Sequence, residues 1–118
     1  MLTSVYVDGS GGNNSGYGYF VKDTGESHYE NKANLTNNQA EYLAIISALK
    51  KFEGTNDEII IYSDSKNTVN QLNHEFAINN EQLRTLAREA WAIMAKFTNL
   101  QIKWIPREEN LAGKMLGS

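Results

Sequence analysis

The chain opens with residues that alternate between two faces, which predicts a β-strand over 2–8. A segment rich in Gly, Ser and Asn (9–16) follows and predicts a loop. Two further strand patterns, at 17–22 and 27–32, flank Asp23-Thr24-Gly25-Glu26, a favourable hairpin turn. The first part of the chain is therefore expected to form an antiparallel meander of three strands.

Beyond residue 37 the apolar residues recur at helical spacing. This spacing predicts longer helices over about 38–52 and 81–97 and short helices at 65–72 and 110–116. Between them, the apolar run of 58–62 predicts a strand buried on both faces, and 100–105 predicts the last strand. The order indicates an α/β fold: a five-stranded mixed sheet with helices packed on it, and the first and fourth strands as a central parallel pair.

The composition fits one domain over residues 1–118 and sets limits on function. The chain has no cysteine, which excludes disulfides and thiolate metal sites. It has no apolar run of the roughly 20 residues that cross a bilayer, and its start lacks the features of a secretory signal, so we expect a cytoplasmic protein. The net charge of −3 argues against a basic coat protein of nucleic acid, but not against an enzyme that holds phosphates through cations.

Three acidic residues, Asp8, Glu41 and Asp64, lie at predicted element ends: two end strands and Glu41 lies in the first turn of a helix. Each has a structural explanation when it is taken alone. Asp8 and Asp64 suit a turn and a helix cap, and Glu41 completes a capping box with Asn38 as N-cap. Together they could meet at one rim of the sheet, where a hard cation such as Mg²⁺ would balance their charges. A carboxylate site with two such metals indicates phosphoryl chemistry.

The motifs around these acids carry a resemblance to a known family. They are Asp8-Gly9-Ser10, Asn37-Asn38-Gln39-Ala40-Glu41, Ser63-Asp64-Ser65 and the segment Trp104-Ile-Pro-Arg-Glu-Glu-Asn110. In this combination and order, the chain resembles a type 1 ribonuclease H of the compact kind that lacks a long basic insertion. The resemblance implies a metal-dependent endonuclease that cuts the RNA strand of RNA–DNA hybrids with two Mg²⁺ (or Mn²⁺) ions. It also implies that Asp8, Glu41 and Asp64 are three of four metal-binding catalytic residues.

The fourth position departs from the family pattern. The family usually has an aspartate in its last helix, in a segment that resembles Asn-x-x-Ala-Asp, and we assign Gly113 to that aspartate position. Either the position has been changed in a way that weakens activity, or Asn110 or Glu109 supplies the missing ligand. We favour Asn110, whose amide oxygen suits a hard cation. Plain capping of the last helix is a close alternative for Asn110.

The resemblance also implies substrate contacts. Asn37 and Asn38 match residues that meet the minor groove and the 2′-hydroxyl, and Thr36 matches part of a pocket for a DNA phosphate. Lys66 matches a position that often meets the RNA strand, where a lysine would act on phosphate charge. Alternatively, it is a solvated residue in the first turn of a helix. The two tryptophans, Trp91 and Trp104, are expected in the core rather than on bases.

Two other function classes are compatible with the sequence. One is a catalytically weakened module that binds hybrids. The other is an exonuclease or integrase of the same fold, against which the motif of two asparagines before Glu41 argues, because DNA has no 2′-hydroxyl to recognise. His28 is expected to face solvent on its strand, His74 follows the short helix, and we expect a monomer.

Overall fold

The three amino-terminal strands form the expected antiparallel meander in a computed structural model that describes residues 1–115. They are β1 (Leu2–Ser10), β2 (Gly16–Val21) and β3 (Ser27–Asn31). The chain continues through α1 (Asn37–Phe52), β4 (Glu58–Ser63), α2 (Lys66–Leu72), α3 (Glu81–Met94), β5 (Asn99–Trp104), a single 3₁₀ turn (Arg107–Glu109) and α4 (Leu111–Met115). The last residue of the predicted final helix, Leu116, lies outside the described residues.

The strands form one five-stranded mixed sheet in the order β3-β2-β1-β4-β5, which confirms the predicted fold class. Strand β1 pairs in parallel with β4, as expected, and the register ends at Tyr6 opposite Tyr62. Continuing that register by two residues brings Asp8 opposite Asp64. The central parallel pair therefore delivers two carboxylates to one edge of the sheet.

The hydrophobic core lies between the sheet and the helices α1 and α3. Its fully buried members include Val5 and Val7 of β1 together with Ile59 and Ile61 of β4, while Ile60 is buried on the opposite face. Strand β4 is thus buried on both faces, as its apolar run predicted. Removing this apolar surface from water supplies the main driving force for holding α1 against the sheet.

Two predicted boundaries around the acids were wrong. The N-cap of α1 is Thr36, not Asn38: the Thr36 hydroxyl accepts the Gln39 N–H at 3.1 Å, and the Gln39 side chain accepts the Thr36 N–H at 2.9 Å. This capping box places Glu41 in the second turn rather than the first. Asp8 does not end its strand, because β1 continues to Ser10 through pairing with β2.

The two tryptophans, both predicted in the core, differ in their burial. Trp91 is partly buried against the core, and its indole N–H donates to the Leu72 carbonyl at 3.0 Å. Trp104, the last residue of β5, is 43% exposed. Its indole N–H donates to the Asp64 carbonyl at 3.2 Å, and the Lys66 ammonium lies 5.3 Å from its ring centre.

Outside the core, His28 is exposed on β3, as expected, and its Nε2 lies 3.1 Å from a Glu30 carboxylate oxygen.

None of the helices between residues 1 and 115 combines the length and the apolar character needed to cross a membrane.

Candidate active site

Three carboxylates from three different elements meet at the carboxyl ends of β1 and β4. Asp8 comes from β1, Asp64 follows β4 directly, and Glu41 projects from the second turn of α1. One oxygen from each lies within 4.8 Å of the others. Asp8 and Glu41 are buried, and the Asp64 side chain is only 4% exposed. The structure thus brings together the three acids that the sequence singled out.

Glycine at position 9 allows α1 to approach β1 this closely. A β-carbon added to Gly9 would lie 2.4 Å from the Ala40 carbonyl carbon and 2.7 Å from the Glu41 nitrogen. Both distances are far inside van der Waals contact, so any larger residue would push the helix away. Gly11 is similarly crowded against Asn37, whose side-chain oxygen accepts the Gly11 N–H at 2.7 Å.

The environment of Glu41 opposes a negative charge. Burial raises the pKa of the Glu41 carboxyl to about 8, and the neighbouring charges of Asp64 and Asp8 contribute to the rise. The Gly9 backbone N–H and the Arg107 guanidinium act in the opposite direction. Three carboxylates at this separation cannot all be ionised cheaply without a cation among them.

The donor set fits a hard divalent cation. All three groups offer carboxylate oxygens, which Mg²⁺ and Mn²⁺ prefer. The buried Glu41 Oε1 has no hydrogen-bond partner, an arrangement that leaves a lone pair for a ligand. Asp8, Glu41 and Asp64 are therefore suited to hold such an ion.

Asn110 lies beside this group but presents its nitrogen to it. The side chain is fully buried, and its Nδ2 donates to the Val7 carbonyl at 2.8 Å and to Asp64 Oδ2 at 2.9 Å. Its Oδ1 accepts the Ala112 N–H at 3.1 Å, within the first turn of α4. The amide oxygen that we expected to bind metal is thus engaged at the start of that helix.

The assignment of Gly113 to the fourth acidic position was one residue out. Counted from Asn110, the fifth residue of an Asn-x-x-Ala-Asp motif is Lys114, and Gly113 matches the alanine. Neither residue type carries a carboxylate. Glu109, the other candidate substitute, is exposed and does not join the group of acids found among residues 1–115.

An open cleft of about 320 Å³ leads to the carboxylates. It is lined by Asp8, Gly9, Ser10, Asn37, Asn38, Glu41, Ser65 and Arg107. Two predicted substrate residues, Asn37 and Asn38, therefore line the cleft. The other two do not: the Thr36 hydroxyl caps α1, and the Lys66 ammonium lies over Trp104.

Arg107 lines the cleft, although the sequence motifs indicated no role for it. Its guanidinium lies 4.0 Å from Asp64 Oδ1, and its side chain is 74% exposed. Because this guanidinium is exposed beside the three acids, it is accessible to an entering ligand and suited to bind an anionic group. Its position directly after Pro106, in a motif already noted, was the available signal.

Comparison with known proteins gives consistent relationships. The model of the family described as reverse transcriptase-like matches residues 21–117. EbsB of Enterococcus faecalis, a protein named as a hydrolase, is 28% identical over 98% of this chain and 90% of its own length. In a search of solved structures, ribonuclease H1 of the archaeon Halobacterium salinarum superposes with a TM-score of 0.87 at 29% identity, covering 98% of this chain and 94% of that one.

A third relative was solved with a ligand. LC11 ribonuclease H1, in complex with an RNA/DNA hybrid, gives a TM-score of 0.85 at 25% identity over 97% of this chain and 92% of that one. With the family match over most of the chain, these likenesses agree with the motifs and the sheet order. The chain belongs to the reverse transcriptase-like family and has the fold of type 1 ribonuclease H.

Proposed function

We propose that this protein is an endonuclease that hydrolyses the RNA strand of RNA–DNA hybrids. The observation that carries the proposal is the group of Asp8, Glu41 and Asp64, whose carboxylate oxygens approach within 4.8 Å, with Asp8 and Glu41 lining an open cleft. The hybrid bound to LC11 ribonuclease H1, a relative of the same fold, supports the choice of substrate.

Divalent cations are part of this proposal. A phosphodiester is an anion, and three carboxylates would repel it unless cations lay between them. Asp8, Glu41 and Asp64 would hold Mg²⁺ or Mn²⁺, two ions when substrate is present. Such ions supply an activated water and charge stabilisation for the leaving 3′-oxygen. The three residues would hold such ions at the carboxyl ends of β1 and β4, and Gly9 permits the approach of α1 that this requires.

The remaining cleft residues suit a hybrid. Asn37 and Asn38 line the cleft at the start of α1, where amide groups can meet a 2′-hydroxyl, both donor and acceptor. Arg107 lines the same cleft and is largely exposed, so its guanidinium can contact a phosphate. We propose Thr36 and Lys66 as flanking contacts to the backbones of the DNA and RNA strands. All these residues come from one chain, so a monomer suffices.

A second candidate function is a module that binds hybrids but cuts them poorly. The observation in its favour is the fourth acidic position of the family motif, where this chain has Lys114 in place of an aspartate. In that case the remaining three carboxylates would recruit cations for binding, and turnover would fail even in Mn²⁺, which tolerates less ideal ligand sets.

The test is cleavage of an end-labelled RNA–DNA hybrid in Mg²⁺ and in Mn²⁺. We expect cuts in the RNA strand alone that disappear in Asp8→Asn and persist in Asp57→Asn, a matched change at a half-exposed aspartate. Single-stranded RNA, single-stranded DNA and double-stranded DNA are run in parallel. Cleavage of DNA without preference for the hybrid would instead indicate an exonuclease or integrase, and binding without cleavage would establish the module.

A further inference from the structure

We infer that Asn110 is a positioning residue that holds Asp64 for metal binding, and that it is not itself a metal ligand. This inference rests on the proposed metal site. It reassigns a residue whose amide oxygen the sequence had suggested as the fourth ligand.

The hydrogen bonds of Asn110 fix the orientation of its amide. Both N–H groups are used, one toward the Val7 carbonyl and one toward Asp64 Oδ2, while Oδ1 accepts the Ala112 N–H. A flipped amide would point its oxygen at two acceptors and its nitrogen at a donor. Because the side chain is fully buried, water cannot compensate for those losses.

To coordinate a cation near Asp64, Oδ1 would have to make that flip. The flip would break all three hydrogen bonds and detach the first turn of α4. The observed orientation has a different consequence for the metal site. A donor on Oδ2 restrains rotation of the Asp64 carboxylate and leaves its other oxygen, Oδ1, on the side of Arg107.

Asn110 also ties Asp64 to the strand that carries Asp8. The Val7 carbonyl belongs to the residue immediately before Asp8, so one buried amide joins β1, the residue after β4 and the start of α4. Partners of this kind around metal ligands typically change metal affinity or activity by about 10- to 100-fold when they are lost.

The first readout uses the unaltered protein. The side-chain amide of Asn110 is followed by ¹H–¹⁵N NMR while Mg²⁺ is added. We expect two slowly exchanging amide protons that stay protected at saturation, because the bonds to Val7 and Asp64 persist. Loss of their protection as Mg²⁺ binds would show that the amide turns its oxygen to the metal, and would overturn the inference.

The second readout is Mg²⁺ affinity by calorimetry in Asn110→Asp. This variant keeps an oxygen for the Ala112 N–H but replaces the donor that faces Asp64 with a negative oxygen. Positioning predicts Mg²⁺ affinity about 10- to 100-fold weaker than in the unaltered protein. Direct ligation predicts a gain, since a carboxylate is the better ligand, and such a gain would contradict our assignment.

Asn80→Ala serves as the matched control. Asn80 caps α3 by accepting the Leu83 N–H at 3.0 Å, so its loss weakens a helix start without touching the acids. We expect its Mg²⁺ affinity to be unchanged. If the unaltered protein bound neither Mg²⁺ nor Mn²⁺, the metal site would fail and the proposed function with it, whereas loss of amide protection on metal binding overturns only the role of Asn110.

Discussion

At the scale of single residues, Glu41 links the site to folding. In the metal-free protein its pKa is raised from 4.5 to about 8, mainly by burial. A raised acid pKa means that the folded state binds the proton more tightly than the unfolded state. The resulting stabilisation is complete below about pH 4.5 and is lost as the pH rises through about 8.

We therefore expect Glu41→Gln to remove much of this pH dependence. One pKa unit corresponds to about 1.4 kcal/mol, so between about pH 6 and pH 9 the unaltered protein should lose on the order of 2 kcal/mol relative to the variant. Urea unfolding in EDTA measures this difference. Glu75→Gln, at an exposed glutamate, should follow the unaltered protein. Parallel pH profiles for Glu41→Gln and the unaltered protein would contradict the burial argument.

Arg107 provides a second prediction at this scale. Its exposed guanidinium beside the cleft should contact a substrate phosphate. Arg107→Ala should therefore raise KM for the hybrid by about 10-fold, which corresponds to a free energy near the lower end of the range for a charge-assisted hydrogen bond. Steady-state cleavage at several hybrid concentrations measures the change. Lys96→Ala removes an exposed cation that pairs with Glu53 away from the cleft, and should leave KM unaltered. An equal rise in both variants would point to general electrostatic attraction instead.

The sequence identified the three acids of the site but did not identify the roles of all the residues around them. The acids could be found because each lies in a short motif of consecutive residues. Arg107 and Asn110 act through contacts with Asp64, which is more than 40 positions away in the chain, and no local pattern encodes such contacts. Trp104 was misplaced for a related reason: alternation assigns a residue to a face of the sheet but does not show how much of that face is buried at the end of β5.

At the scale of elements, the approach of α1 to β1 is the feature most sensitive to one atom. Gly9→Ala would place a methyl group 2.4 Å from the Ala40 carbonyl carbon, so the strand and helix must separate. We expect Mg²⁺ binding to be lost and the free energy of unfolding to fall by at least about 2 kcal/mol, in the range of overpacked sites. Calorimetry and urea unfolding give the two quantities.

Gly25→Ala is the matched control for Gly9. The added methyl meets nothing within 4 Å, and the only cost is a φ of 77° that favours glycine. That strain is worth about 1 to 2 kcal/mol, and metal binding should be intact. Normal Mg²⁺ affinity in Gly9→Ala would show that the close approach does not form the site.

Helix α4 raises the question of the missing carboxylate. Position 114 lies one helical turn beyond Asn110 and matches the aspartate of the family motif. We expect Lys114→Asp to increase hybrid cleavage in Mg²⁺ by about 10-fold, comparable to one transition-state interaction of about 1.4 kcal/mol. Gly113→Asp adds a carboxylate one residue earlier and should not increase cleavage. Cleavage assays of both variants would reveal a mistaken motif register if the order were reversed.

Sequence patterns predicted where the helices and strands lie better than where each one begins. Sequence patterns placed every strand and both longer helices. The spacing of one buried face predicted α1 and α3, whereas an unbroken apolar run predicted β4. The N-cap of α1 was misjudged by two residues because Thr36 with Gln39 and Asn38 with Glu41 both satisfy the capping-box pattern. Only the structure shows that Thr36 and Gln39 form it, which frees Glu41 to face Asp8 and Asp64.

At the scale of the whole molecule, the acids should make stability depend on divalent cations. A metal that binds only the folded protein adds RT ln(1 + [L]/Kd) to the free energy of unfolding, about 1.4 kcal/mol at ten times Kd. We expect Mg²⁺ to raise the urea midpoint of the unaltered protein and not that of Asp8→Asn. Potassium chloride at equal ionic strength separates this effect from screening.

The size of the Mg²⁺ effect should itself depend on pH, because the cation competes with the proton on Glu41. At about pH 6 the raised pKa keeps that carboxyl protonated, and a metal must displace the proton; near pH 9 the carboxylate is already charged and destabilising. The stabilisation by Mg²⁺ should therefore be larger at the higher pH. Glu41→Gln should abolish this pH dependence, and Mg²⁺ stabilisation that stayed constant from about pH 6 to 9 would mean that the ion binds away from Glu41.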